Sequence, residues 1–229
     1  MRYIVLILLW CVLFPASKTL ATNEWTDVWA LGRAGLAAEN KNDHETARRN
    51  FDAAVQRNPK VAVAYFNRGR FFFTRREYTA AVKDFNTAVS LRPTVWTYSY
   101  WRGAAYARVG RYDLALADFN RILSLHPGDE GRALLLNDRA WIEATCPDAR
   151  YRNGKQAIED AKIAVHFGRG SGASYLDTLA AAYAEAGDFD SAIKTEEQAI
   201  AAQTKTDKLR DVDSRLTAYR QHRPYRTKD

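Results

Sequence analysis

Four histidines, two cysteines and many arginines and carboxylates are the residues of this 229-residue chain whose types could do chemistry. Histidines hold metals or move protons when they stand together, most simply at i, i+3 or i+4 on one helix. His44, His126, His166 and His222 are scattered, and no such pair exists. Cys146 could attack a substrate as a thiolate, but no neighbouring motif prepares it and the nearby bases are arginines. Adjacent carboxylates such as Glu196 and Glu197 could share acid and base roles; the helical reading places them on a solvated face. The glycine-rich stretch from Gly168 to Gly172 lacks the Lys-Ser/Thr of a phosphate-cradling loop and follows a helix rather than a strand, so it is expected to be a flexible link. The chain is therefore expected to be no enzyme, with no cofactor and no metal.

The arginines are the denser signal. Arg68, Arg70, Arg75 and Arg76, then Arg102, Arg108 and Arg111, are interleaved with aromatic residues, a pattern that can bind polyanions. Three arginines have a local explanation instead. Arg68, Arg102 and Arg139 each open an Arg-Gly or Arg-Ala pair, and Asp84, Asp118 and Asp160 recur on the helix that follows. At the same places an earlier segment has Ala34 and Asn50, and a later one Leu179 and Thr195, so both charges are present or absent together. Each pair is expected to bridge two neighbouring helices as a structural ion pair.

Those helices are set by a 34-residue period. Shifting the sequence by 34 places Arg68-Gly69 on Arg102-Gly103, Tyr78 on Tyr112, Ala81 on Ala115, Asp84-Phe85-Asn86 on Asp118-Phe119-Asn120, and Pro93 on Pro127. A period of this length is the signature of a helix–turn–helix solenoid. Gly69 and Phe72 share one face of a first helix, and Ala81, Phe85 and Ala88 share one face of a second. Small residues let the two helices approach, the aromatics fill between pairs, and Pro93 ends the unit because it lacks an N–H.

This small–aromatic–small–aromatic–small–Pro order resembles the tetratricopeptide repeat family over about residues 28 to 226. The resemblance implies an all-α right-handed solenoid of five helix pairs and a capping helix. The units fall near 28–61, 62–95, 96–129, 133–170 and 173–205, with a capping helix and tail over 206–229. In the first unit His44 replaces the usual tyrosine and is read as a packed core imidazole. In the fourth, the expected helices are Ala133 to Thr145 and Lys155 to Phe167. The connection Cys146 to Gly154 is about five residues longer than the other turns, ends one helix at Pro147 and can cap the next with Asn153. The runs Ala144-Thr-Cys-Pro-Asp and Tyr151-Arg-Asn-Gly154, with the ending Tyr219-Arg…Arg223-Pro-Tyr-Arg226, are similar to a variant common in bacterial members. The connection is read as a structural latch. A final helix from about Asp207 to Arg220 presents Leu209, Val212, Leu216 and Tyr219 to cover the end of the stack.

The resemblance also implies a function, the binding of a protein or extended peptide in a concave groove lined by first helices. Projecting those helices places Trp29, Phe66, Arg70, Phe73, Tyr100, Arg108, Asn137 and Trp141 there. Aromatics and arginine dominate binding energy at interfaces. The family's clamp for a terminal carboxylate is not matched: Asn67 fits one place, but Gly32, Leu36, Thr97 and Trp101 occupy the others. The expected ligand is a segment with apolar anchors and an acidic residue. The alternative is an anionic envelope polymer or lipid headgroup on the arginine-rich surface.

Residues 1–21 read as a secretory signal peptide: Arg2, an apolar run from Tyr3 to Phe14, then Thr19-Leu20-Ala21. Export to the periplasm or beyond is expected, and a tether through an uncleaved segment is the alternative. Cleavage lowers the net charge from +7 to +5, because Arg2 and Lys18 leave and no acid does. Nucleic acid is not an expected partner for an exported chain, and no membrane span is expected after cleavage. One cysteine, Cys146, then remains, so no intrachain disulfide forms and helix packing carries the stability. Residues 22–27 are expected to be a polar lead-in, with Thr26 or Asp27 capping the first helix.

Overall fold

The computed structural model describes residues 16–125, 128–168, 172–203, 209 and 211–227, with side-chain burial from Trp25 onward. Most of the signal segment, His126-Pro127, the centre of the glycine link and residues 204–208 and 210 lie outside the described residues. Among those described, the fold is all-α: α1 Ala16–Asn40, α2 His44–Arg57, α3 Ala62–Thr74, α4 Tyr78–Leu91, α5 Trp96–Arg108, α6 Tyr112–Leu123, α7 Gly128–Thr145, α8 Gly154–Phe167, α9 Gly172–Glu185, α10 Phe189–Ala202 and α11 Val212–Arg220. No helix among them is long and apolar enough to cross a membrane. They group into two compact units, Met1–Tyr98 and Ser99–Asp229, the division falling in the first turn of α5.

In the first unit α1 packs on α2 and α3 on α4. Asp43 starts α2 by accepting from the Thr46 N–H at 3.1 Å, the side-chain cap that an aspartate at this place supplies. Each second helix buries its small–aromatic–small face: Ala47, Phe51 and Ala54 on α2, and Ala81, Phe85 and Ala88 on α4. The glycines opposite are there for want of space. A Cβ on Gly35 would lie 2.6 Å from the Phe51 ring, and one on Gly69 2.7 Å from Phe85. Val28, Val55, Val61 and Ala64 close the core between the two pairs.

The start of α1 differs from the sequence expectation. The helix runs unbroken from Ala16, so Thr26 and Asp27 do not cap it and residues 22–27 are no separate lead-in. Between Ala16 and Val28 there is no glycine or proline to stop a helix. Asp27 is used otherwise, accepting from Arg57 Nε and Nη2 at 3.0 and 2.7 Å.

The second unit repeats the same packing, with a Cβ on Gly103 falling 2.7 Å from Phe119. α7 begins at Gly128 rather than near Ala133, with Asp129 and Glu130 in the first turn, where acids favour a helix N-terminus. Asn153 accepts from the Gln156 N–H at 3.2 Å and starts α8. α11 is described from Val212, after Asp211 in the left-handed region at φ 56°; Asp207, where the sequence reading starts this helix, lies outside the described residues. Leu209 therefore leaves the expected stripe, and its N–H bonds to Gln203 Oε1 at 3.1 Å. The buried face of α11 is Arg215, Leu216 and Tyr219.

Candidate protein-interaction faces

The first helices carry the candidate binding residues, and the structure places them in two sets, one in each unit. In the first unit Trp29 is 53% exposed on α1, and Trp25, one turn earlier, is 42% exposed. Beside Trp29 a shallow cleft is lined by Val28, Gly32, Leu36, Val63 and Ala64, with Arg33 and Asn67 as its polar members. Phe66 and Phe73 are half-buried on α3. The Phe66 ring lies 4.7 Å from Tyr98 and 6.1 Å from Phe85, and Phe73 meets Tyr78 edge-on at 5.3 Å. Arg70 is half-buried on the same helix. Trp29 is thus the open aromatic of this set, and the two phenylalanines also fill space between helices.

In the second unit Tyr100 is half-buried, and its hydroxyl donates to Asp138 at 2.9 Å. Burial pushes the Asp138 carboxyl up to about 6, although Tyr100 and Asn137 hydrogen-bond to it and the charge of Arg108 pulls the other way. Burial, then the charge of Asp138, raises the Tyr100 phenol. The structure therefore joins Tyr100, Arg108, Asn137 and the unforeseen Asp138 in one polar cluster. Arg108 is exposed in the last turn of α5. Trp141 stands apart from that cluster. Its ring is flanked by Tyr225 at 6.2 Å and by the Arg215 guanidinium at 5.7 Å.

The three arginine–aspartate pairs are each held by two bonds. Arg68 donates from Nε and Nη2 to Asp84 at 2.8 and 2.8 Å, Arg102 to Asp118 at 2.8 and 2.7 Å, and Arg139 to Asp160 at 2.5 and 2.8 Å. The aspartates are buried, and their hydrogen bonds raise all three guanidinium pKa values. Arg111 faces Asp113 at 3.3 Å, whereas Arg75, Arg76 and Arg108 are exposed. Much of the apparent arginine surface is thus already neutralised.

The connection after α7 is tied shut. Arg152 donates from Nη1 to the Cys146 and Pro147 carbonyls at 3.0 Å each and from Nε to Glu185 at 3.0 Å. Gly154 passes so close to the end of α9 that a Cβ would lie 2.8 Å from the Ala186 nitrogen. Cys146 is buried inside this turn. The chain's end comes to the same place: Arg226 pairs with Glu185 at 2.5 Å, and the Thr227 N–H donates to the Thr145 carbonyl at 3.0 Å. The two sequence runs that resemble one variant, about seventy residues apart, are therefore halves of one clasp.

One group overturns a sequence expectation. Glu196 is not on a solvated face: it is 0% exposed, on the side of α10 that also carries Ala192 and Ala199. Arg215 of α11, 4% exposed, reaches Asp177 of α9 at 2.6 Å and Glu196 at 3.2 Å. Burial and the neighbouring Asp177 charge push Glu196 up to about 9, and burial raises Asp177 as well. Two buried carboxyls thus share one arginine as their cationic partner. Glu197, the next residue, is exposed and pairs with Arg220. The signal was present in the sequence, since Glu196 lies at i+4 from Ala192 and Arg215 at i+3 from Val212. Asp138 gave no such warning.

His44, His166 and His222 lie on separate elements, and among the described residues no three His, Cys, Asp or Glu side chains gather as a metal site. His44 is half-buried at the start of α2, and His222 stacks on Phe189 at 5.1 Å.

Residues 33–95 and 75–130 match the family model described as Tetratricopeptide repeat. No curated protein matches the chain in sequence. Among solved structures, a chain of the APC/C hetero-tetramer Cut9–Hcn1 superposes with a TM-score of 0.71 at 19% identity over 90% of this chain. The match covers only 38% of that larger chain. MamA from Desulfovibrio magneticus RS-1 superposes at 0.61 with 18% identity, over 80% of this chain and 98% of its own. YrrB, a tetratricopeptide repeat protein with an unusual peptide-binding site, superposes at 0.57 with 17% identity, over 82% of this chain and 93% of its own. Identities this low show a shared fold alone.

Proposed function

With tetratricopeptide repeats established over residues 33–130 and the all-α fold of that family across the described chain, we propose that this protein is a non-catalytic scaffold that binds a protein or extended peptide on its first-helix faces. The fold itself supports a repeat scaffold for protein interactions. The observation that carries the reading is Trp29. A side chain of this size, half exposed beside an apolar cleft with Arg33 and Asn67 at hand, offers a partner large rigid area next to polar donors. The scattered histidines and the buried Cys146 support a binding role over a catalytic one.

The protein works outside the cytoplasm in this reading. Its support is the charged, apolar, then small-residue order of residues 1–21. The second reading, a binder of an anionic polymer or lipid headgroup, draws on the exposed Arg75, Arg76 and Arg108. Affinity capture from an envelope extract, repeated at rising salt, separates the two. Capture of a defined protein that survives high salt supports the scaffold, whereas retention of polyanion alone, falling steeply with salt, supports the second.

A further inference from the structure

The C-terminal segment occupies part of the second unit's first-helix face, and we infer that it is a displaceable strap whose site also accepts a partner's extended segment carrying an aromatic residue followed by arginine. Residues 223–227 run without helix or strand across the C-terminal ends of α7 and α9. Tyr225 stands against Trp141 at 6.2 Å and beneath the Arg215 guanidinium at 5.5 Å. Arg226 meets Glu185 at 2.5 Å and donates to the Ala144 carbonyl at 3.3 Å, and Thr227 donates to the Thr145 carbonyl at 3.0 Å. The segment thus satisfies carbonyls in the last turn of α7 that have no partner within the helix.

Its hold differs in kind from that of α11. Tyr219 and Leu216 are buried, whereas residues 223–227 are half-buried or exposed: Tyr225 rests on the rim of the cluster of Ala180, Ala184, Ala192 and Tyr219, and the Arg226 side chain is 33% exposed. Release exposes two helix-end carbonyls and one carboxylate, which water solvates readily, and the apolar surface under the single ring of Tyr225, while Arg215 stays over Trp141 on its own ion pairs. Such a segment opens locally, at a free energy well below that of global unfolding. What it uncovers is an aromatic plate, a carboxylate already oriented by Arg152, and a pair of acceptors in the last turn of α7. A planar guanidinium with five donors fits the carboxylate and carbonyls, and an aromatic side chain fits Trp141. The same chemistry already sits there, attached to this chain.

The inference rests on the interaction reading above for its partner but is tested without one. The probe is a fluorescently labelled synthetic peptide of residues 221–227, titrated by anisotropy into the full chain and into the full chain carrying Tyr225→Ala and Arg226→Ala. In the wild type the attached strap competes, so the released variant binds the peptide about tenfold more tightly, and adding Glu185→Gln removes that binding. Circular dichroism shows unchanged helix in the released variant. Equal binding to both chains, or binding to neither, overturns the inference and leaves capture by other faces untouched. Loss of helix in the released variant also overturns it, because the segment is then an integral cap.

Discussion

Arg68 and Asp84 meet through two parallel hydrogen bonds of 2.8 Å, and a third guanidinium nitrogen of Arg68 reaches Asp52 of the preceding helix pair at 2.9 Å. Sixteen residues separate each aspartate from Arg68, one behind and one ahead, so a single side chain joins two helices to a third. Arg139 makes the equivalent reach, to Asp160 and to Asn120 at 2.7 Å. Its own pair is 21 residues apart because the clasp lengthens the turn by five.

Truncating Arg68 to alanine strands the buried Asp84 and is expected to cost about 1–3 kcal/mol in denaturant unfolding. A double-mutant cycle with Asp84→Ala should return a coupling of similar sign and size. Absence of coupling would show that the pair is incidental to stability. Arg68→Lys recovers little, since a point charge cannot replace the two-pronged contact.

The Asp177–Glu196–Arg215 cluster makes stability depend on pH. Glu196 has its pKa raised by folding, from an ordinary 4.5 to about 9, so the folded chain holds a proton that the unfolded chain has lost. Between those values the unfolded state binds fewer protons, and stability falls as pH rises. The contribution is complete below about 4.5 and is lost as pH climbs through about 9. Glu196→Gln, which keeps the shape and cannot ionise, is expected to flatten this slope. Thermal melts of both proteins across that range check it, and parallel slopes would remove the cluster from the account.

Gly154 is fixed by backbone rather than by a movable side chain. A Cβ there meets the Ala186 nitrogen at 2.8 Å, so Gly154→Ala forces α8 away from the end of α9 and should cost about 1–3 kcal/mol. Gly172 has nothing within 4 Å of such a Cβ, and Gly172→Ala is expected to leave the melting temperature unchanged or slightly raised. Equal effects at the two sites would contradict the close approach.

Intact-mass measurement on protein from its native host tests the export reading. A chain beginning near Thr22 is expected; a membrane-bound chain retaining Met1 to Ala21 would refute cleavage.

The repeat skeleton was legible because its causes are local and periodic. Gly35, Gly69 and Gly103 each stand sixteen residues before Phe51, Phe85 and Phe119, and each has its ring within 2.6–2.7 Å of where a Cβ would fall. The arginine–aspartate spacing carried the same kind of information. What escaped was long-range or set against a default. Glu196 was placed on the surface because glutamates usually are, although its spacing from Ala192 and Ala199 put it inside. Asp138 needs Tyr100, on another helix, to explain its place in the polar cluster. The contact of Arg226 with Glu185 joins residues 41 apart, and nothing in either stretch names the other. The start of α1 failed for a simpler reason: Thr26 and Asp27 look like N-caps, but the helix is already under way from Ala16.

The central claim is that the first-helix faces bind a protein partner. Its most direct measurement is capture from an envelope extract by three full-length baits: the wild type, a face variant with Trp29→Ala, Arg70→Ala and Arg108→Ala, and a control with Lys83→Ala and Arg121→Ala on second helices. The account predicts a defined protein captured by the wild type and the control but lost with the face variant, at unchanged helical content. Undiminished capture by the face variant would contradict it.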